Sequence, residues 1–307
     1  MSRIWIVMSM LFMPDKRVVI YGILLFFCIS GRAQSDTSFS AFHFSSSHTS
    51  FPDTGRSKGR LDGNNVFTPV SGHYDDSSVL LIVPPHLSVD QTVDLVFWFH
   101  GWHNSIDTAV VFYGLARQLA ASRRSAILVL PETARDAGDS YGGKLQRKGM
   151  FKDLVADVMS NLKSKGLVPT NASPGHIILA GHSGAYQVIA DILKNGQVSV
   201  DEVFLFDALY SRVDTFMDWI NADKGHHFIH WFTNHGGGTD VMSDTMMIRL
   251  KEHHTDYQSI EERDLTSVIL KNSRIVFVHS PREHNVIIND PDDFQLLLEN
   301  SFYLKKP

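Results

Sequence analysis

Ser183 stands in the one stretch of this sequence whose residue types and spacing announce a reactive group. His176-Ile-Ile-Leu-Ala-Gly-His-Ser-Gly-Ala-Tyr186 runs from apolar residues into Gly181-His182-Ser183-Gly184-Ala185, and a helical pattern begins at once. This is a turn of G-x-S-x-G type with Ala in the last place. A strand-to-helix turn this tight forces the serine into a strained backbone conformation and presents its hydroxyl outward. Residues 181, 184 and 185 must then be small, because larger side chains would meet the neighbouring strand or helix. The turn also sets Ser183 at a helix N-terminus, whose free N–H groups favour developing negative charge. The chemistry on offer is nucleophilic attack. A serine hydroxyl is a poor nucleophile at neutral pH, so a base must take its proton and later return it to the leaving group. Arg274-Ile-Val-Phe-Val-His-Ser-Pro-Arg-Glu-His-Asn285 offers two histidines: His279 at the end of an apolar run and His284 in the loop beyond it. Alternation with Val278 assigns His279 to packing against a sheet.

The elements that must hold these groups are legible as alternating short and long apolar patterns. Strands are expected at Val79–Val83, Leu95–Phe99, Ala126–Leu130, Ile177–Ala180, Val203–Phe206, Phe228–Phe232 and Ile275–Val278. Helical spacing marks Ile106–Ala121, Met150–Leu162, Ala185–Leu193, Val213–Ile220, Ser243–His253 and Phe294–Phe302. This alternation implies an α/β protein: a mostly parallel central sheet with helices on both faces. Ligands bind such sheets at the carboxyl ends of the strands, so residues just after each strand are expected to carry the chemistry.

A second motif, Leu95-Val-Phe-Trp-Phe-His-Gly-Trp-His-Asn104, ends an apolar strand in His100-Gly101. With this pair, the Ser183 turn and the histidine loop in order, the chain resembles the α/β-hydrolase superfamily from Val79 to Leu304. The resemblance implies a serine hydrolase. It makes the N–H groups of Trp102 and Gly184 the oxyanion hole, two fixed donors that hold charge without reorganising. It makes His284 the general base and leaves His100 a structural role on the loop backbone. The order serine, acid, histidine admits Asp207, directly after Val203–Phe206, and Asp240, beyond His235-Gly-Gly-Gly-Thr239. Most members place the acid at the later position and some at the earlier. The acid must hold the imidazole in one tautomer and orientation, which a buried strand end does better than a position behind three glycines. Asp207 is therefore the expected acid and Asp240 the alternative.

The substrate side is read from the residues around these motifs. Trp102 and Tyr186 offer aromatic faces for a sugar or aryl group, and His103 is a candidate pocket residue. Pro131–Lys144 is a polar loop at a strand end that brings Tyr141 and Lys144 as further substrate-binding candidates. The interval from Asp207 to Phe228 is short and leaves little room for the apolar lid of an oil-surface lipase, so a soluble carbohydrate or aryl ester is the expected substrate. A peptidase using the same groups and a non-catalytic glycan-binding protein with the same fold are the alternative readings.

Composition narrows the rest. The chain has 307 residues, 28 Lys+Arg against 33 Asp+Glu, and a formal charge of −5. That balance argues against a nucleic-acid binder. The single cysteine, Cys28, excludes an internal disulfide and a cysteine-rich metal site. Among 16 histidines, His226, His227 and His230 cluster, but alternation splits them between two faces and no H-E-x-x-H spacing occurs. No metal and no cofactor are expected. Residues 1–33 read as a signal peptide: Lys16 and Arg17, an apolar run from Val18 to Ile29, then Gly31 and Ala33 at a cleavage site. The mature chain is expected outside the cytoplasm, secreted or periplasmic, free of the membrane once cleaved. Residues 34–65 read as a flexible polar leader and 66–307 as the catalytic domain.

Overall fold

The computed structural model describes residues 39–235 and 237–307. The expected signal peptide at 1–33 and the first residues of the expected leader, 34–38, lie outside the described residues. The strands are β1 (Ser40–Ser45), β2 (Arg60–Leu61), β3 (Phe67–Thr68), β4 (Ser78–Val83), β5 (Thr92–Phe99), β6 (Ala126–Pro131), β7 (Ser173–His182), β8 (Glu202–Phe206), β9 (His227–Thr233), β10 (Gln258–Glu261) and β11 (Ile275–Ser280). The helices are α1 (Ile106–Phe112), α2 (Leu115–Ser122), α3 (Met150–Ser164), α4 (Tyr186–Asn195), α5 (Val213–Ala222), α6 (Thr239–Glu252), α7 (Ser267–Asn272) and α8 (Asp293–Asn300).

β2 and β3 form a small hairpin; the other nine strands make one sheet in the order β1-β4-β6-β5-β7-β8-β9-β11-β10. Every pair from β6 to β10 is parallel, and β4 runs antiparallel to both β1 and β6. Strand side chains alternate between the faces. Leu95, Phe97 and Phe99 of β5 therefore join one core layer, with α3, α4, α5 and α6 packed on it. Val96 and Trp98 join the other, beneath α1, α2, α7 and α8. Burial on both faces explains why the central strands are apolar throughout rather than alternating.

Two expectations need correction. The stretch 34–65 is not a flexible leader over the described part. β1 pairs with β4 along its whole length, Ser40 opposite Val83 through Ser45 opposite Ser78. Beyond it, Phe51 is fully buried and packs on Tyr74 with ring centroids 5.1 Å apart. Serine-rich composition hid this, because an edge strand needs to bury only one face: Phe42 and Phe44 pack on the core while Ala41 and His43 point away. The helix expected over Ile106–Ala121 is two helices. Gly114 takes a left-handed conformation at φ 61° and breaks the run between α1 and α2, a bend that glycine adopts without steric cost.

Candidate functional site

β5, β7 and β8 are neighbours in the sheet, so their carboxyl ends open side by side. β7 ends at His182, and Ser183 begins a single 3₁₀ turn, Ser183–Ala185, that runs straight into α4. Ser183 has φ 55°, a left-handed conformation that costs a non-glycine residue energy and persists only where its surroundings enforce it. Those surroundings are tight. A Cβ at Gly181 would lie 2.6 Å from the Ala185 Cβ and 2.8 Å from the Ile189 Cδ1. A Cβ at Gly101, on the turn after β5, would lie 2.6 Å from the Ser183 Cβ and 3.2 Å from its Oγ. The backbones of the two turns therefore touch at the serine.

Asp207 follows β8 directly, is fully buried, and has φ 45°. Its N–H donates to the Trp231 carbonyl at 2.7 Å. One carboxylate oxygen accepts from the Thr233 N–H at 3.2 Å and from the Thr239 hydroxyl; the other receives Nδ1–H of His284 at 2.5 Å. Burial works to raise this carboxyl, but the hydrogen bonds from His284 and Thr239 outweigh it and hold Asp207 below the usual carboxylate range. His284 is in the loop between β11 and α8, with its side chain about one-fifth exposed (22%). Asp240 sits in the first turn of α6, partly exposed. The neighbouring Thr239 rather than Asp240 reaches the site, and it does so by bonding Asp207.

A pocket of about 660 Å³ opens over Ser183 and His284. Trp102, His103, Gly184 and Tyr186 line it, together with Asn104, Thr108, Phe112, Tyr113, Ser140, His182, Tyr210 and Asn285. Trp102 forms an exposed wall and its indole N–H donates to the Ser140 hydroxyl at 2.7 Å. Tyr141 and Lys144, expected in the pocket, are not among its lining residues. Tyr141 donates to Asp53 at 2.8 Å and stacks under the Arg56 guanidinium, 4.3 Å from the ring centroid. Lys144 donates to the Ser47 carbonyl at 2.5 Å. Both are held by the segment between β1 and β2 that had read as flexible, so the loop they occupy contributes Ser140 to the pocket instead.

No protein-family model and no curated protein matches this sequence. Solved structures do match. A ferulic acid esterase aligns with TM-score 0.53 at 9% identity, covering 87% of this chain and 98% of its own. A mutant feruloyl esterase module from Clostridium thermocellum, complexed with sinapinate, aligns with TM-score 0.51 at 12% identity, covering 86% and 87%. An S-formylglutathione hydrolase from Staphylococcus aureus aligns with TM-score 0.47 at 10% identity over 85% and 96%. The chain has the α/β-hydrolase fold.

Several groups that shape this pocket were not singled out in the sequence. Burial and Asp207 push the Tyr210 phenol up, while a hydrogen bond with Ser183 works the other way. His182 is buried, with Nδ1 3.0 Å from the Tyr113 hydroxyl and Nε2 2.9 Å from the His284 carbonyl oxygen. The signal for His182 was its place: a polar ring at the end of an apolar strand, one residue before the serine. Tyr113, Thr239 and Tyr210 carry no such signal. His100, expected on the loop backbone, is 2.7 Å from the Gly101 carbonyl oxygen through Nδ1 and 2.5 Å from Glu132 through Nε2. Burial works to lower this imidazole, but the bonded Glu132 carboxylate outweighs it and raises it. The buried pair pins the turn that carries Trp102.

Proposed function

We propose that this chain is a secreted serine ester hydrolase acting on a soluble aryl or carbohydrate ester. The observation that carries the reading is the hydrogen-bonded His284–Asp207 pair, 2.5 Å apart, opening into the same pocket as a serine at φ 55°. In this reading the Ser183 Oγ attacks the ester carbonyl carbon and His284 Nε2 takes its proton. Asp207 accepts from Nδ1–H throughout, so Nε2 is the free lone pair and the imidazolium has a fixed counter-charge. The carbonyl oxygen becomes an oxyanion, held by the N–H groups of Trp102 and Gly184. The close approach of Gly101 to Ser183, and of the Trp102 ring to Gly184, supports these donors converging on one point. The C–O bond to the alcohol breaks as His284 returns the proton to it. Water then repeats the sequence on the acyl-serine and frees the acid.

Substrate class follows from the walls. Trp102, Phe112, Tyr113, Tyr186 and Tyr210 give the pocket several flat apolar faces, and Asn104, Thr108, Ser140 and Asn285 add neutral donors and acceptors. Such a surface suits an aromatic or sugar ring. Between Asp207 and β9 the chain supplies a single ten-residue helix, α5, too little for a broad apolar lid. The names of the two esterases with TM-scores above 0.5 agree with ester chemistry. Export fits the sequence reading of 1–33, since cleavage after Ala33 spares β1 and removes Cys28; the N-terminus of protein recovered outside the cell should then be Gln34. Rates on aryl acetates, matched anilides and emulsified long-chain triglyceride test the proposal. Turnover of the soluble esters at least about 100-fold above the other two is expected. Activity confined to the emulsion or to the anilides contradicts it.

A further inference from the structure

We infer that His182 is a positioning residue that sets where His284 stands relative to Ser183. The inference rests on the roles proposed above for those two residues, and goes beyond them to how the base is held.

The hydrogen-bond directions around His182 are fixed by chemistry. A backbone carbonyl can only accept, so the ring nitrogen 2.9 Å from the His284 oxygen, Nε2, must carry a hydrogen. Burial first and the neighbouring His284 second push the His182 imidazole down to about 3, so the ring is neutral and Nδ1 has only a lone pair. The Tyr113 hydroxyl, 3.0 Å away, is then the donor to Nδ1. The chain runs one way: Tyr113 O–H to His182 Nδ1, and His182 Nε2–H to the His284 carbonyl oxygen. Tyr113 is itself buried at the end of α1, and its own carbonyl accepts from Gln118 at 2.8 Å.

This gives the base two separate anchors. Asp207 fixes the His284 ring through Nδ1, whereas His182 fixes the His284 backbone and packs ring against ring, centroids 4.4 Å apart. His182 is also covalently joined to Ser183. The loop that carries the base is thereby indexed to the residue that precedes the nucleophile. A neutral partner suits the position, because a second charge 4.4 Å from an imidazolium would oppose its formation.

The test measures kcat and KM on a soluble aryl acetate, and the rate of Ser183 labelling by a fluorophosphonate, for wild type, His182→Leu, His182→Gln and Tyr113→Phe. Misplacing the base by an ångström or so should lower kcat and the labelling rate together by about 100-fold in His182→Leu, with KM changed less than about threefold. Gln can donate to the carbonyl and accept from Tyr113, so His182→Gln should recover to within about fivefold of wild type. Tyr113→Phe should fall between the two, since it loosens the ring without removing the bond to the loop. The inference is overturned by His182→Leu labelling and turning over within threefold of wild type, or by His182→Gln impaired as much as His182→Leu while both melt cooperatively like wild type. If His182→Leu does not fold, Tyr113→Phe decides, and a Tyr113→Phe rate equal to wild type overturns it. A wild-type chain whose Ser183 takes no label overturns the proposed function and this inference with it; a labelled wild type with unaffected variants overturns this inference alone.

Discussion

At the scale of single residues, the site depends on how one carboxylate is satisfied. Asp207 is fully buried, yet His284, Thr239 and the Thr233 N–H all donate to it and favour its ionised form. A buried carboxylate with fewer donors would take up a proton and cease to orient the imidazole. Asp207→Asn should therefore lower kcat by about 10⁴-fold with the fold intact, because an amide cannot enforce the same tautomer. Asp240→Asn should leave kcat within about twofold. Steady-state kinetics on one soluble ester reads both, and the reverse ranking would transfer the acid role to the helix position. The sequence offered both aspartates after strands and favoured Asp207, because a buried strand end holds an imidazole better than a position behind three glycines. Not legible was the threonine one residue before Asp240, whose hydroxyl turns back to Asp207. No periodicity encodes that contact.

At the scale of elements, the turn between β7 and α4 was legible because its requirements are local. An apolar strand, three small residues around a serine and an immediate helix leave little freedom, and Gly181 and Ala185 meet as that crowding requires. The turn after β5 obeys the same logic from the other side. Adding one methyl at Gly101 would press on Ser183 at 2.6 Å, a contact that must push either backbone aside. Gly101→Ala should cost about 100-fold in kcat while lowering the melting temperature by only a few degrees, measured by kinetics and calorimetry on the same preparation. Unchanged kcat would mean that the two turns are not held against each other. Where pattern failed among the elements, contacts distant in sequence were responsible. Tyr141 and Lys144 sit at a strand end as expected, but Asp53, Arg56 and the Ser47 carbonyl draw them away from the pocket.

At the scale of the whole molecule, residues 39–65 belong to the folded unit. β1 closes one edge of the sheet, and the chain after it forms a small satellite core of Phe51, Tyr74, Ala134 and Ala137. That core braces the loop carrying Ser140, helped by the Arg56 guanidinium paired with Asp139 at 2.6 Å. Composition misled here because a polar stretch needs only a few apolar side chains to dock on a core built elsewhere. Phe51→Ala removes a fully buried ring and should destabilise the protein by about 3 kcal/mol or more in urea unfolding. A loss under about 1 kcal/mol would return the segment to the status of a tether. The parallel sheet, by contrast, was readable from the alternation of strand and helix patterns, since each central strand must be apolar on both faces to lie between two helical layers.

An activated Ser183, as proposed above, should react covalently with a phosphonylating probe. Purified protein is treated with a fluorophosphonate, digested, and mapped by mass spectrometry, alongside Ser183→Ala and His284→Ala. The expected result is stoichiometric modification of the peptide containing Ser183 in the wild type, none in Ser183→Ala, and labelling slowed by orders of magnitude in His284→Ala. A folded wild-type chain left unmodified at Ser183, or labelled just as fast without His284, would contradict it.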